Sequence, residues 1–304
     1  MMGVVDFHSH FFSATFFRAL AERSPLPGDP ASRLAAVAKK TGIELPAEDT
    51  DAHLARWIGE LDRHGVEHMC TFASVPEEIP AVCEAAERSR GRLSAFALVD
   101  PRAPGAADRI RGLLEAKKIR GVLVFPAMHH FLVGGPEARP ILEALSDHGA
   151  VIFVHCGLLV IKLRDLLGLP RPQDLAYANP LSIVPAANAF PSVRFVIPHF
   201  GAGFFRETLM AGAQCTNVFV DTSSSNSWRA TQAPVLTLTE VFERTLAVFG
   251  ADRILFGTDS NTFPTGWRRD RFGEQREAIS AAGASEADRE KILGGNARRL
   301  LALA

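Results

Sequence analysis

The apolar residues of this 304-residue chain are gathered into short runs that recur from one end to the other. Eight of these runs have the length of a β-strand and are rich in Val, Ile and Phe. Because they are almost continuously apolar, they indicate strands that are buried on both faces, as in a parallel sheet. The runs cover residues 3–10, 68–74, 92–100, 119–126, 150–157, 194–201, 217–224 and 253–260.

Stretches typical of helices separate these runs, at residues 51–64, 76–89, 106–117, 137–148 and 238–249. Regular alternation of strand and helix, with right-handed crossovers, favours a (β/α)8 TIM barrel of the α/β class over an open doubly wound sheet. We therefore expect a single barrel domain over residues 1–304. Thr50, and Thr237 with Glu240, predict two helix starts. Gly65 and Gly149 predict two helix ends.

Two segments are longer than a minimal barrel requires. One covers residues 11–48, after the first strand, and the other covers residues 158–192, after the fifth. Loops that follow the strands form the mouth of the active site in this fold. Each insertion is therefore a candidate lid or substrate wall, with a packing or interface role as the alternative.

Charge and cysteine content exclude several classes of protein. The formal net charge is -1, whereas a nucleic-acid-binding protein needs a surplus of basic residues. The first apolar stretch is interrupted by Asp6, His8 and His10, so it is neither a signal peptide nor a membrane span. Four widely spaced cysteines indicate reduced, buried thiols. These features predict a cytoplasmic protein that acts away from membranes and nucleic acids.

Polar side chains with metal-binding chemistry stand at the ends of four predicted strands. His8 and His10 alternate to the same side at the end of strand 1, and His155, His199 and Asp259 end strands 5, 6 and 8. These strand ends meet at one rim of a barrel. Buried ionisable groups cost several kcal/mol unless they are paired or metal-bound. The convergence therefore predicts a metal site.

Three imidazoles and one carboxylate suit Zn²⁺ best, with Mn²⁺ and Fe²⁺ as alternatives. Residues 120–126 of strand 4 contain no lysine that could bridge a second ion, so we expect one metal. The other histidines of the helices and strand starts are interpreted as structural: His53, His64, His68 and His148.

Residues on the loops around the rim are candidates for substrate binding. His130 follows strand 4, and Arg206 begins the helix after strand 6. A polar and aromatic wall is predicted after strand 7, from Asp221, Asn226 and Trp228. Arg206 could clamp a substrate carboxylate, and a surface ion pair is the alternative. For His130 the alternative is a hydrated loop. Four phenylalanines could form an apolar pocket: Phe11, Phe12, Phe125 and Phe131.

Five motifs resemble the amidohydrolase superfamily over nearly the whole chain: HSH at 8–10, HCG at 155–157, PHFG at 198–201, FGTDS at 256–260 and GNARRLL at 295–301. HSHFF and HFGAG resemble, more narrowly, the amidohydrolase-related branch. That branch includes aminocarboxymuconate-semialdehyde decarboxylase and contains both hydrolases and non-oxidative decarboxylases. Its members commonly form dimers, so the resemblance allows a homodimer.

The resemblance implies that His8, His10, His155 and Asp259 hold one divalent metal and that His199 is catalytic or polarises the substrate. Asp259 would act as general base and then acid for a metal-activated water. His199 would hydrogen-bond the oxyanion, with a role as fifth ligand as the alternative. The polar residues 260–262 replace the aromatic residue and proline usual in the decarboxylases. We therefore expect a hydrolase of a small cyclic amide, lactone or ester. A carboxy-lyase for an aromatic or unsaturated acid is the first alternative, and a catalytically inactive binding module is the second.

Overall fold

Eight parallel strands lie side by side in the order in which they occur in the sequence. They are seen in a computed structural model that describes residues 3–223 and 227–303. The last strand returns to the first, because the amide of Phe7 donates to Phe256 O over 2.8 Å and that of His10 donates to Ser260 O over 2.7 Å. The predicted (β/α)8 barrel is thus confirmed. Its strands are β1 Val4–His10, β2 Val66–Phe72, β3 Leu93–Leu98, β4 Gly121–Val124, β5 Val151–Val154, β6 Arg194–Ile197, β7 Val218–Asp221 and β8 Ile254–Leu255.

Helices follow the strands and pack around the barrel. They are α1 Ala14–Glu22, α2 Pro30–Thr41, α3 Thr50–His64, α4 Ile79–Arg88, α5 Ala106–Glu115, α6 Pro126–His129, α7 Arg139–Asp147, α8 Lys162–Leu166, α9 Ile183–Ala189, α10 Phe205–Gln214, α11 Leu238–Phe249, α12 Arg269–Ala281, α13 Glu286–Glu290 and α14 Asn296–Leu301. Within the described ranges, none of these helices combines the length and the apolar character needed to cross a bilayer.

The helix ends follow the local chemistry of the sequence. Thr237 and Glu240 exchange both hydrogen bonds of a capping box at the start of α11. Gly65 ends α3 with a φ of 65°, in the left-handed region that glycine enters at little cost. The start of α3 differs from the expectation by one residue, because the Asp49 carboxylate accepts the amide of Asp51 over 3.0 Å and leaves Thr50 inside the helix.

Aromatic rings fill the inside of the barrel. Four fully buried phenylalanines form its centre: Phe7, Phe72, Phe96 and Phe153. Burying each ring stabilises the fold by roughly 2–3 kcal/mol. Ala297 and Leu301 of α14 belong to the same cluster, and Arg298 between them donates to Gly3 O, just before β1. The terminal helix therefore closes the end of the barrel where the strands begin.

The two predicted insertions contact each other. Phe16 and Phe17 of α1 share an apolar cluster with Leu167, which follows β5. The Ser24 hydroxyl donates to Leu167 O over 2.6 Å. Because β1 and β5 are opposite each other in a barrel of eight strands, this contact joins opposite sides of the rim. A groove of about 390 Å³ lies within the first insertion, between α1 and α2, apart from the predicted site residues.

Candidate metal centre and active site

The ends of β1 and β8 bring two of the predicted histidines against the predicted aspartate. Oδ1 of Asp259 lies 3.2 Å from Nε2 of His10 and 3.6 Å from Nε2 of His8. The Asp259 amide also donates to His8 O over 2.8 Å. Asp259 has a φ of 60°, a conformation that is uncommon for a residue with a side chain and is frequent at functional sites.

His199 belongs to the same cluster. One ligand atom from each of His8, His199 and Asp259 lies within 4.8 Å of the others, which makes these residues a candidate metal-binding group. The His155 ring centroid lies 5.2 Å from that of His199. The assignment of His8, His10, His155 and Asp259 as ligands stays a prediction, and the place of His199 in this group is compatible with a fifth ligand.

The ring of His8 is held from behind by a carboxylate. Its Nδ1–H donates to Oδ2 of Asp221, at the end of β7, over 2.6 Å. This bond turns Nε2 of His8 toward the cluster, where the nitrogen offers a lone pair to a metal only when the ring is neutral. Burial lowers the pKa of His8, but the charge and hydrogen bond of Asp221 outweigh it and raise this pKa to about 9. Without a cation in the cluster, His8 and Asp221 therefore form an ion pair.

The turn after β7 fixes the ring of His199. The Nδ1 of His199 lies 2.9 Å from Ser223 O, and a carbonyl oxygen can only accept, so this nitrogen carries the proton. Burial lowers the pKa of His199, and His8 lowers it further. The ring is thus neutral, with a lone pair on Nε2. The hydrogen bond to an oxyanion expected from the sequence requires the protonated form of this ring.

The remaining charges of the cluster suit a cation. Burial raises the pKa of Asp259, but the hydrogen bond from His10 and the nearby histidines outweigh it and hold this pKa well below its usual range. Burial lowers the pKa of His155 far below 6.5, with His199 and His8 adding to the effect. The buried Nδ1 of His155 has no hydrogen-bond partner among the described residues. An ionised carboxylate beside neutral imidazoles is a donor set that fits a divalent metal.

Aromatic side chains border the cluster. The Phe12 ring stacks on His10 with centroids 4.9 Å apart, and the Phe125 ring lies 5.3 Å from that of His155. Two other phenylalanines considered for an apolar pocket, Phe11 and Phe131, are instead buried in the core outside the barrel. Of the four phenylalanines considered for an apolar pocket, Phe12 and Phe125 therefore border the cluster.

The predicted substrate-binding residues have other surroundings. Arg206 is 84% exposed and pairs with Glu207 over 3.0 Å, which is the surface ion pair considered as the alternative. Trp228 is fully buried, with its ring 5.7 Å from that of Phe205. The Nε2–H of His130 donates to Pro172 O over 2.6 Å. Asn226 lies outside the described residues.

Two groups that position the cluster were not assigned this role from the sequence. Asp221 was placed in a polar wall after β7, and Ser74, whose Oγ lies 2.8 Å from Nδ1 of His10, was not considered. The position of Asp221 at the end of a strand could have indicated its role. A serine hydroxyl on a loop after β2 carries no comparable signal.

Comparisons with known proteins give the family. The sequence model described as Amidohydrolase matches residues 5–303. The structure is similar to 5-carboxyvanillate decarboxylase LigW from Sphingomonas paucimobilis, with a TM-score of 0.66, 14% identity and 100% of both chains covered. It is also similar to a protein from Acinetobacter baumannii described as a probable 2-pyrone-4,6-dicarboxylic acid hydrolase with citric acid bound, with a TM-score of 0.64, 15% identity, and 99% of this chain and 100% of that chain covered.

A third similar structure is the D314N mutant of 5-carboxyvanillate decarboxylase LigW2 from Novosphingobium aromaticivorans, which holds manganese and a nitrobenzoic acid. Its TM-score is 0.62, at 12% identity, with 99% of this chain and 97% of that chain covered. No match to the chain was found among curated proteins. These neighbours share the barrel, and the family assignment rests on the sequence model, which covers nearly every residue. The chain belongs to the amidohydrolase family and is an enzyme of that superfamily.

Proposed function

We propose that this enzyme is a metal-dependent hydrolase of a small cyclic amide, lactone or ester. One observation carries the proposal: the Asp259 carboxylate lies among His8, His10 and His199, with Nε2 of His10 3.2 Å from its Oδ1. Hydrolysis needs a base for water and a group that meets the developing oxyanion at one point. This cluster contains both kinds of group.

The residues proposed to hold the ion are His8, His10, His155 and Asp259, with His199 beside them. A bound divalent ion lowers the pKa of a water molecule and polarises a substrate oxygen. We propose zinc, because three imidazoles and a carboxylate suit it best, although manganese is the metal in the LigW2 neighbour.

The chain's own groups move the protons. Asp259, ionised in this site, takes the proton of the water that attacks the substrate carbonyl carbon and later returns it to the leaving oxygen or nitrogen. His199 is neutral with its lone pair on Nε2, so it accepts a hydrogen bond or a proton first and can donate to the oxyanion only after it is protonated.

A carboxy-lyase acting on an aromatic or unsaturated acid is the second candidate. The rings of Phe12 and Phe125 support it, because they give the site an apolar wall in which a carboxylate is poorly solvated. The polar residues after β8 give hydrolysis less support than the sequence suggested. Ser260 is fully buried, and its Oγ meets Thr258 Oγ at 2.5 Å and the Arg268 amide at 3.0 Å. Family membership is compatible with both reactions.

Turnover in ¹⁸O-labelled water separates the two reactions. Purified protein is loaded with zinc or manganese and screened against lactones, cyclic amides and hydroxybenzoic acids. Label in the organic product without CO₂ release supports hydrolysis. Stoichiometric CO₂, with solvent hydrogen on the product carbon, supports the carboxy-lyase and contradicts the first proposal. The Asp259→Asn protein serves as the matched control for turnover by contaminating enzymes.

The cellular location and the oligomeric state of the enzyme are also proposals. We propose that it works in the cytoplasm, and the four cysteines support this because all of them are buried and unpaired. We propose a homodimer because members of the amidohydrolase-related branch commonly form dimers, and sedimentation of the purified protein tests this.

A further inference from the structure

A buried carboxylate outside the cluster holds two of the groups that contact the His10 ring. Glu78 ends a short 3₁₀ helix, Pro76–Glu78, between β2 and α4, and it is fully buried. Its Oε1 accepts the amide of Ser13 over 2.6 Å and the Ser13 hydroxyl over 3.0 Å. Its Oε2 accepts the amide of Ser74 over 2.8 Å. Each carboxylate oxygen of Glu78 thus accepts hydrogen bonds from a different loop.

The first of these loops carries the apolar contact of His10. Ser13 occupies the N-cap position of α1, where its hydroxyl makes no capping bond and donates to Glu78. The preceding residue, Phe12, has a φ of 41° and stacks on the His10 ring at 4.9 Å. Such a backbone conformation is held by its surroundings. The bond from Ser13 to Glu78 fixes the chain immediately after it.

The second loop carries the polar contact of His10. The Oγ of Ser74 lies 2.8 Å from Nδ1 of His10, while Nε2 of the same ring lies 3.2 Å from Asp259. Glu78 holds the backbone of Ser74. One carboxylate therefore anchors the ring that stacks on His10 and the hydroxyl that meets its far nitrogen.

Stability alone does not account for a carboxylate in this place. Glu78 forms no ion pair with any cation of the described residues, and an uncompensated buried charge costs several kcal/mol. That cost appears in its pKa, which burial raises to about 7 against the hydrogen bonds from Ser74 and Ser13. A glutamine would avoid this cost, but only one of its two polar atoms can accept, so the hydrogen bonds to one of the two loops would be lost.

We propose that Glu78 is a positioning residue that sets the orientation of the His10 ring, through Ser74 on one side and Ser13 with Phe12 on the other. The inference rests on the proposed function in that His10 is taken as a metal ligand. Glu78 acts through these neighbours and does not itself touch the cluster.

Zinc affinity, measured by competition with a chromophoric chelator, is the first test. Glu78→Gln replaces one acceptor with a donor, and Ser74→Ala removes the hydroxyl that meets His10. We expect each to weaken zinc binding about 10-fold, at the low end of the effect of partners of metal ligands. If Glu78 and Ser74 act on His10 through the same contact, the double variant should lose little more zinc affinity than Glu78→Gln alone. Glu60→Gln is the matched control, because Glu60 is also buried but accepts from Trp267. It should bind zinc like the wild type.

The His10 ring in metal-free protein is the second test. We expect Glu78→Gln to shift the ¹⁵N signals of the His10 ring and to leave those of His68, which is bonded to Gly91 and Ser94, unchanged. If the wild-type protein bound no zinc, the proposed function would be contradicted, but this second test would still apply. A shift of the His10 signals in Glu78→Gln would support the role of Glu78, and unchanged His10 signals would overturn it. Should Glu78→Gln fail to fold, Ser74→Ala and Ser13→Ala replace it. Wild-type affinity and His10 signals in both of these variants would overturn the proposal.

Discussion

The Nδ1–H of His8 donates to Oδ2 of Asp221 over 2.6 Å, although 213 residues separate them along the chain. The bond joins β1 to β7, the two strands on either side of β8 in the barrel. It fixes Nδ1 of His8 as a donor and turns Nε2 toward Asp259. Asp221 also accepts the amide of Ser223 over 2.8 Å, so the same carboxylate orders the turn beside His199.

Replacing Asp221 should therefore weaken the metal site without unfolding the barrel. In Asp221→Asn the side chain no longer provides a charged acceptor for His8, and we expect metal affinity to fall about 10-fold to 100-fold. Chelator competition measures the change, and circular dichroism checks the fold. The exposed Asp252→Asn change is the control. Equal affinity in the two variants would show that Asp221 does not position His8.

Removing His155 should deplete the metal while the barrel remains folded. His155→Ala deletes one proposed ligand at the end of β5, and the aromatic core below it is untouched. Elemental analysis of the purified variant measures the metal content, with the exposed His148→Ala as the matched control. Normal occupancy in His155→Ala would remove this residue from the ligand set.

Removing His199 should affect turnover more than metal content. We expect His199→Ala to lose roughly 10²-fold to 10⁴-fold in kcat, the usual cost of deleting an acid–base group or an oxyanion donor, and to keep most of the metal. The two measurements are made on the same preparation. A metal loss as complete as that of His155→Ala would instead make His199 a ligand, a role that its place in the cluster permits.

The stability of the metal-free protein should fall in acid partly because of His68. Burial lowers the pKa of His68 to about 4. Between about 6.5 and about 4 the unfolded chain binds a proton at His68 that the folded protein does not, so the free energy of unfolding decreases as the pH falls through this window. The full effect is roughly 3 kcal/mol.

Urea unfolding between pH 4.5 and 7.5 tests this dependence. His68→Gln should flatten the slope of stability against pH, whatever its effect at neutral pH, whereas the exposed His148→Gln should keep the wild-type slope. An unchanged slope in His68→Gln would assign the acid sensitivity to other groups.

The barrel and its rim could be predicted because they depend on periodicity. Nearly continuous apolar runs identify the strands, and the fold places the residues that end those strands at one rim. Directions of side chains at the rim are less predictable. His199 and Asp259 have φ values of 57° and 60°, which interrupt the two-residue alternation of a strand. The partners of each ring depend on how distant strands align, as His8 and Asp221 illustrate.

Loop residues could not be predicted because short-range contacts compete with the site. Arg206 has an acidic neighbour, Glu207, and pairs with it at the surface. Trp228 is buried against Phe205. Burial of its large ring stabilises the fold more than an exposed position at the mouth of the barrel would. The sequence pattern does not show that Arg206 has a closer partner at the surface or that Trp228 is more stable in the core.

The closing of the barrel by α14 has a consequence for biosynthesis. The ribosome makes β1, with His8 and His10, some 250 residues before Asp259, which follows β8, and Leu301 of the barrel cluster comes later still. Until the segment around β8 is made, β1 lacks the neighbour whose carbonyls accept the amides of Phe7 and His10. The two histidines therefore precede the aspartate beside them by most of the barrel, and the nascent chain exposes an unpaired, apolar strand edge for that time.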